Sequence, residues 1–371
     1  MRETSRATGG RTDWWGNVTF AVGLGAVLIG VTQGLQPYQG HAMGWTDPTV
    51  VMLLVGGVAL LLAFWVIETR LPDPMFDLSL FRIRDFTVGN AAAPAVSVAR
   101  GGLQFVLIIW LQGIWLPLHG YDYKDTPLWA GIYMIPLTLG FLAAGPVAGH
   151  LSDKFGPRVF AAGGLLAMAA SFAGLLLIPT NFSYWVFALL IFLNGIGGGL
   201  FSAPNTSLIM SSVPTRMRGA ASGARATFMN AGMVLSMGIF FSLMVAGLSS
   251  SLPHTLSSGL TAQGVPAGTA TQISHLPPVA TLFAAFLGYN PMQQLLGPST
   301  LHALPASNAQ TLTGREFFPH LISGPFHDGL MVVFWLAIAM AVIGAVASAL
   351  PGTTAQPEEQ AVAEQGAAVS A

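Results

Sequence analysis

Long apolar stretches alternate with short polar ones along almost the whole chain. Eight of them stand out, at about 16–34, 49–69, 86–116, 128–149, 159–179, 184–207, 221–247 and 327–350. Most offer the roughly 20 apolar residues that a helix needs to cross the hydrocarbon of a bilayer. The pattern predicts an all-α polytopic membrane protein with about eight transmembrane helices. One polar island organises it, Gly149-His150-Leu151-Ser152-Asp153-Lys154-Phe155-Gly156-Pro157-Arg158, set between the runs Leu128–Ala148 and Val159–Ile178. So short a connection permits only a tight hairpin at one membrane face. Gly156 allows the sharp turn, and Pro157 opens the next helix where its missing N–H costs nothing. Asp153 is placed to pair with a basic residue or to cap a helix N-terminus. Gly149 is read as a point of close helix approach.

The charges orient this pattern. Arg2, Arg6, Arg11, Arg70, Arg82, Arg84, Lys154, Arg158, Arg216, Arg218 and Arg225 fall at or near one face, Lys124 and Arg315 at the other. Basic residues collect on the cytoplasmic side, so both termini and the Asp153 hairpin are expected there, in the plasma (inner) membrane. The organisation follows: a tail and two-helix hairpin over 1–70, a cytoplasmic connector over 71–85, six helices over 86–350, and a polar, acidic, disordered tail over 351–371. The connector reads as a short amphipathic segment on the membrane surface. Residues 249–326 form a long external segment, expected as a solvated loop with one helix, Val279–Leu287, lying on the bilayer; the alternative is an extracellular binding domain. The run Val18–Val31 after the basic start has no small-residue cleavage site behind it, so it is read as a retained helix rather than a signal peptide.

Composition narrows the chemistry. Only 8 % of residues are charged against 53 % hydrophobic, mean hydropathy is +0.64, and the net charge of −1 gives no reason to expect nucleic acid. There is no cysteine, hence no disulfide or thiolate chemistry. The eight histidines are scattered without an H-E-x-x-H, so neither a metal nor another cofactor is expected. Without G-x-S-x-G or paired intramembrane carboxylates, the chain does not read as an enzyme.

Polar residues inside the runs are the candidate sites. Ser97, Arg100 and Gln104 follow i, i+3, i+7 spacing and share one helix face. A cation near mid-membrane costs at least ~2.5–3.5 kcal/mol, so Arg100 should face a cavity or a partner. No acidic residue is read inside the runs, which leaves a polar side chain, a carbonyl, a substrate or an acid from elsewhere. Asn194, Asn205, Asn230 and Gln112 are amides that either line a path or join helices. Trp110 is left open between a ligand pocket and packing, whereas Trp115 and Trp129 fit the interfacial belt. Arg225 either snorkels or points to a cavity. The glycines of Asn194-Gly195-Ile196-Gly197-Gly198-Gly199, the pair Gly219 and Gly223, and Gly145-Pro146-x-x-Gly149 are read as helix packing.

The order G-x-L-x-D-x-x-G-x-R across Gly149, Asp153, Gly156 and Arg158, with Lys154 in a position often basic, resembles the loop signature of the major facilitator superfamily in its C-terminal half. Thr12-Asp13-Trp14-Trp15-Gly16, Pro74-Met75-Phe76-Asp77-Leu78-Ser79-Leu80-Phe81-Arg82 and Val213-Pro214-Thr215-Arg216-Met217-Arg218-Gly219-Ala220-Ala221-Ser222-Gly223 resemble stretches of its fourteen-helix drug:proton antiporter branch. The resemblance implies the central helix pair plus the C-terminal six helices of that fold, without the N-terminal six. It implies a loop that latches neighbouring helices, protons and amphipathic drug-like small molecules as partners beside the lipid bilayer, and a missing or separate N-terminal six-helix bundle. The expected function is proton-coupled export; the alternative is a truncated or split-gene subunit with no transport of its own.

Overall fold

The structure, a computed structural model, describes residues 14–349 apart from 37, 40, 42, 71–79, 82 and 288. The basic start, most of the connector and the acidic tail therefore lie outside the described residues. Among these, eight helices are long and apolar enough to cross a membrane. The first two, α1 (Trp14–Gly34) and α2 (Pro48–Glu68), form a hairpin. Asp47 starts the return helix by accepting a hydrogen bond from the Thr49 amide at 2.8 Å, with Pro48 at the first helical position.

The six-helix unit begins with α3 (Arg84–Trp110), which runs on through a π-helical turn, Leu111–Trp115, into the short α4 (Leu116–Leu118). Pro117 has no N–H to give to Gly113, and the wider turn lies just before it. A span broken at Met134 follows, as α5 (Thr126–Tyr133) and α6 (Ile135–Phe155), because Pro136 cannot donate back across the junction. Then come α7 (Pro157–Leu177), α8 (Tyr184–Ser211), the 45-residue α9 (Arg218–Ala262) and, after four short helices, α14 (Phe317–Ala349). The α6–α7 turn is as expected: Gly156 has φ 88°, its amide bonds the Ser152 carbonyl at 2.9 Å, and Pro157 starts α7.

Two groups of helices pack tightly, α6 with α7 and α8, and α3 with α9 and α14, while α14 joins them through α7. Their side chains form one continuous core. A smaller core closes the Gly156 end, where Leu80 and Phe86 meet Ile209, Val213, Ala221 and Ala224. The described end of the connector, Leu80 and Phe81, is tucked into that core rather than spread on a membrane surface.

The stretch 249–326 departs most from expectation. It is no solvated loop. The helix α9 continues 15 residues past 247, α14 starts ten residues before 327, and between them α10 (Ala267–Ser274), α11 (Pro278–Leu287), α12 (Met292–Ala303) and α13 (Ala306–Thr313) form a helical cap. Leu252, Leu256, Leu260, Ile273, Leu282 and Leu312 bury into the same core as the bundle. The predicted helix over 279–287 packs on the π turn, with Gly113 against Ala285. Side-chain amides stitch the cap: Asn290 donates to the Leu312 and Gly314 carbonyls at 2.9 and 2.8 Å, and Asn308 to Gln263 at 3.0 Å. The sequence is locally polar because these helices are short and one-sided, not because they lack a core.

The glycine readings divide. Gly195 and Gly199 of α8 meet the backbone of α6, and Gly197 meets Gly164 of α7, so the run in α8 is a packing seam. By contrast, Gly145, Gly149, Gly219 and Gly223 have open space where a Cβ would stand, which corrects the close approach expected at each.

Candidate functional site

The stripe on α3 is graded from inside to outside: Ser97 is buried, Arg100 half-buried and Gln104 exposed. The Arg100 guanidinium lies over the ring of Phe141 on α6, its carbon 4.1 Å from the ring centroid. Gly198 of α8 sits beside both; a Cβ there would stand 3.5 Å from a terminal guanidinium nitrogen and 3.4 Å from the ring. Three helices thus converge on one cation. Among the described residues, neither a carboxylate nor a hydrogen-bond acceptor meets it. The aromatic face offsets part of the cost of a cation at this depth, and it occupies only a face of the guanidinium. The five N–H donors point outward in the guanidinium plane and stay available.

The other candidates do not join this stripe into one site. Asn205 is buried and donates to the Gly89 carbonyl at 3.3 Å, tying α8 to α3. Asn194 is also buried, and its amide nitrogen meets no partner among the described residues. Arg225 is half-buried on α9 and Asn230, further along, is exposed. Trp110 lies wholly within the core: its ring packs edge-on against Phe182 at 4.9 Å, and its indole N–H donates to the Thr180 carbonyl at 3.0 Å. As placed, it walls the bundle interior rather than an open face.

At the hairpin, the Ser152 hydroxyl donates to the Gly149 carbonyl at 2.8 Å. Lys154 is exposed, its ammonium 5.4 Å from the Phe155 ring centroid, and Arg158 is partly buried with a partner. The Asp153 side chain lies outside the described residues.

Three features escaped the sequence reading. Phe141 had no signal, being one apolar residue in a long apolar run. Two acids correct the reading that none lies inside the runs: Glu68, buried at the end of α2 within the second run, and Asp328, the second residue of the last predicted run, which lies in the helix interior because α14 starts at Phe317. There its carboxylate accepts a hydrogen bond from Ser251 of α9 at 2.8 Å. Third, the cap holds a cleft of about 650 Å³ between the ends of α9 and α14, lined by Gln263, Thr311, Arg315, Glu316, Phe317 and His320. Arg315 is fixed there by Asp122 at 3.0 Å, and its carbonyl accepts from the Tyr123 hydroxyl at 2.7 Å.

A sequence profile described as Major Facilitator Superfamily matches residues 11–237. Among curated proteins, the chain is 29 % identical over 256 residues to "Multidrug resistance protein Stp" of Mycobacterium tuberculosis, covering 68 % of this chain and 45 % of that protein. It is 24 % identical over 328 residues to the "Tetracenomycin C resistance and export protein" of Streptomyces glaucescens, covering 87 % of this chain and 54 % of that one. The match to the "Tetracycline resistance determinant" of Streptomyces rimosus is 29 % identical and covers 58 % of this chain and 62 % of the relative. The chain thus spans about half the length of the first two relatives.

Proposed function

Because the chain belongs to the Major Facilitator Superfamily, we propose that it forms one wall of the path through a proton-coupled exporter of amphipathic, drug-like molecules. Arg100 carries this reading. A half-buried cation with free donors, on a stripe that ends in the exposed Gln104, is suited to a water-filled path and ill suited to lipid. Transporters of this architecture bind substrate between two helical units near mid-membrane. The second wall is a further six-helix unit, carried by the same polypeptide or by a partner. The names of the relatives support export of drug-like compounds. The second reading, a membrane subunit with no transport of its own, rests on the one-sided stripe.

Tetracycline efflux from energised cells separates the two. Cells making the protein should export it, a protonophore should abolish export, and Arg100→Ala should lower the rate severalfold at matched membrane level, with Arg100→Lys between, since lysine keeps the charge without the planar fork. Export unaffected by the protonophore would remove the proton from the reading. No export by cells making this chain alone, with export restored when the other six-helix unit is supplied, would favour the second reading.

The membrane is taken as the plasma membrane, with both termini and the Asp153 hairpin in the cytoplasm and the cap outside. His150 and Ser258 are both exposed and near opposite ends of the bundle. Single cysteines there, in a chain with none of its own, should react oppositely with an impermeant thiol reagent applied to intact cells: Ser258→Cys labels and His150→Cys does not. The reverse pattern would invert the topology. For the hairpin, Asp153→Asn should slow efflux more than Ser152→Ala, which removes only an intrahelical bond to Gly149. Equal rates would reduce the hairpin to a plain turn.

A further inference from the structure

We infer that Arg100 is an anion-accepting anchor held in place by Phe141, and that this wall selects anionic or carbonyl-bearing aromatic ligands over cationic ones. The inference deepens the reading of the α3 stripe as a substrate path. It starts from a charge imbalance. The guanidinium has no carboxylate beside it among the described residues, and the one acid inside α14, Asp328, is engaged by Ser251. A cationic ligand entering this stripe would meet like charge in a poorly screened setting, whereas a carboxylate, enolate or polarised carbonyl would meet unused donors.

Phe141 determines how those donors are presented. A guanidinium over a ring keeps its plane fixed while its edge stays free. Most arginine side chains must lose rotamer freedom on binding a ligand; here the ring at 4.1 Å has already restricted it. Gly198 completes the arrangement. With hydrogen in place of a side chain beside the ring and the guanidinium, the α8 surface leaves the cation its position and the approach beside it open. A branched side chain there would occupy the space next to the donors. Phe141 is therefore a positioning residue acting through Arg100, and Arg100 is the contact.

The test is equilibrium binding of two dyes to the purified full chain in detergent, read by fluorescence anisotropy: dianionic fluorescein and cationic ethidium. Arg100→Ala and the bulkier Arg100→Gln should each weaken fluorescein about tenfold, the scale of one charge-assisted hydrogen bond, and strengthen ethidium, whose like-charge repulsion they remove. Phe141→Leu, which keeps apolar bulk but loses the π face, should weaken fluorescein about threefold at unchanged ethidium affinity, and Phe141→Tyr should restore it. Either of two results overturns the anchor: fluorescein binding unchanged in both Arg100 variants, or both dyes weakened alike. Equal affinities for Phe141→Leu and Phe141→Tyr overturn the positioning role. Monodisperse elution of each variant shows that the fold is intact; Arg100→Gln serves if Arg100→Ala does not fold. Binding needs no transport, so Arg100-dependent fluorescein binding without efflux would count against the exporter alone.

Discussion

Gly195→Val is expected to abolish assembly of the six-helix unit: no monodisperse protein on purification, and complete digestion by trypsin under conditions that spare the parent. The reason is contact between backbones. A Cβ at Gly195 would strike the Leu137 carbonyl oxygen and stand 2.9 Å from the Phe141 amide nitrogen. Four residues on, a Cβ at Gly199 would stand 2.7 Å from the Phe141 carbonyl, and from the other side Gly140 faces the Phe192 carbonyl. These are main-chain atoms of two packed helices and cannot swing aside like a side-chain tip. Relief would require α6 and α8 to separate, opening the seam that supports the cation site, because Phe141 lies on it. Overpacking a close interior typically costs ~1–3 kcal/mol when side chains can yield, and more here because they cannot. In a membrane, where helices associate largely through packing, small residues at the contact provide much of the attraction. The control is internal. Gly145→Val in α6 and Gly163→Val in α7 add side chains where nothing lies within 4 Å, so both should purify like the parent. If Gly195→Val purifies equally well, α6 and α8 do not touch as described.

What could be read from the sequence followed physical strength. Eight apolar runs gave eight long helices because the period and length of such runs leave few alternatives. The Gly156-Pro157 turn was legible because glycine readily takes the positive φ that the turn needs and proline fixes the start of the next helix. The cap was not: α10 to α13 are 8 to 12 residues long, and all four begin just after a proline, so they read as loop punctuation until their shared core is seen. Span boundaries failed for the same reason, since α9 and α14 leave the apolar zone without ending, and this concealed Asp328. At the site, Arg100 was visible because a cation in an apolar run is costly. Phe141 and Gly198 were invisible because nothing local distinguishes them from other apolar and small residues; only the tertiary arrangement brings them to the guanidinium. Glycine spacing alone proved a poor guide, identifying the seam at Gly195 and Gly199 but also the open positions Gly219 and Gly223.

Trp110→Ala is expected to destabilise the chain severely, and Trp110→Phe to leave its ligand preferences intact. The indole has no exposed surface. It contacts Phe182 and Phe187 of the α7–α8 turn region and approaches Phe334 of α14 with ring centroids 6.3 Å apart, so it joins the two helix groups at one end of the bundle. Truncation to alanine removes that joint and leaves a cavity, a loss of about 3–5 kcal/mol for a buried aromatic. It also removes the indole N–H that the half-buried Thr180 carbonyl accepts at 3.0 Å; losing one such hydrogen bond adds about 0.5–1.5 kcal/mol. Phenylalanine restores most of the volume and none of the hydrogen bond, so Trp110→Phe should lose mainly the second amount. Thermal unfolding in detergent should therefore rank the parent above Trp110→Phe and both well above Trp110→Ala. The fluorescein and ethidium affinities of Trp110→Phe should match those of the parent, because the ring is enclosed by the bundle. A shift in those affinities without loss of stability would mean instead that the ring reaches ligand, and that the bundle opens at the α7–α8 turn during the cycle.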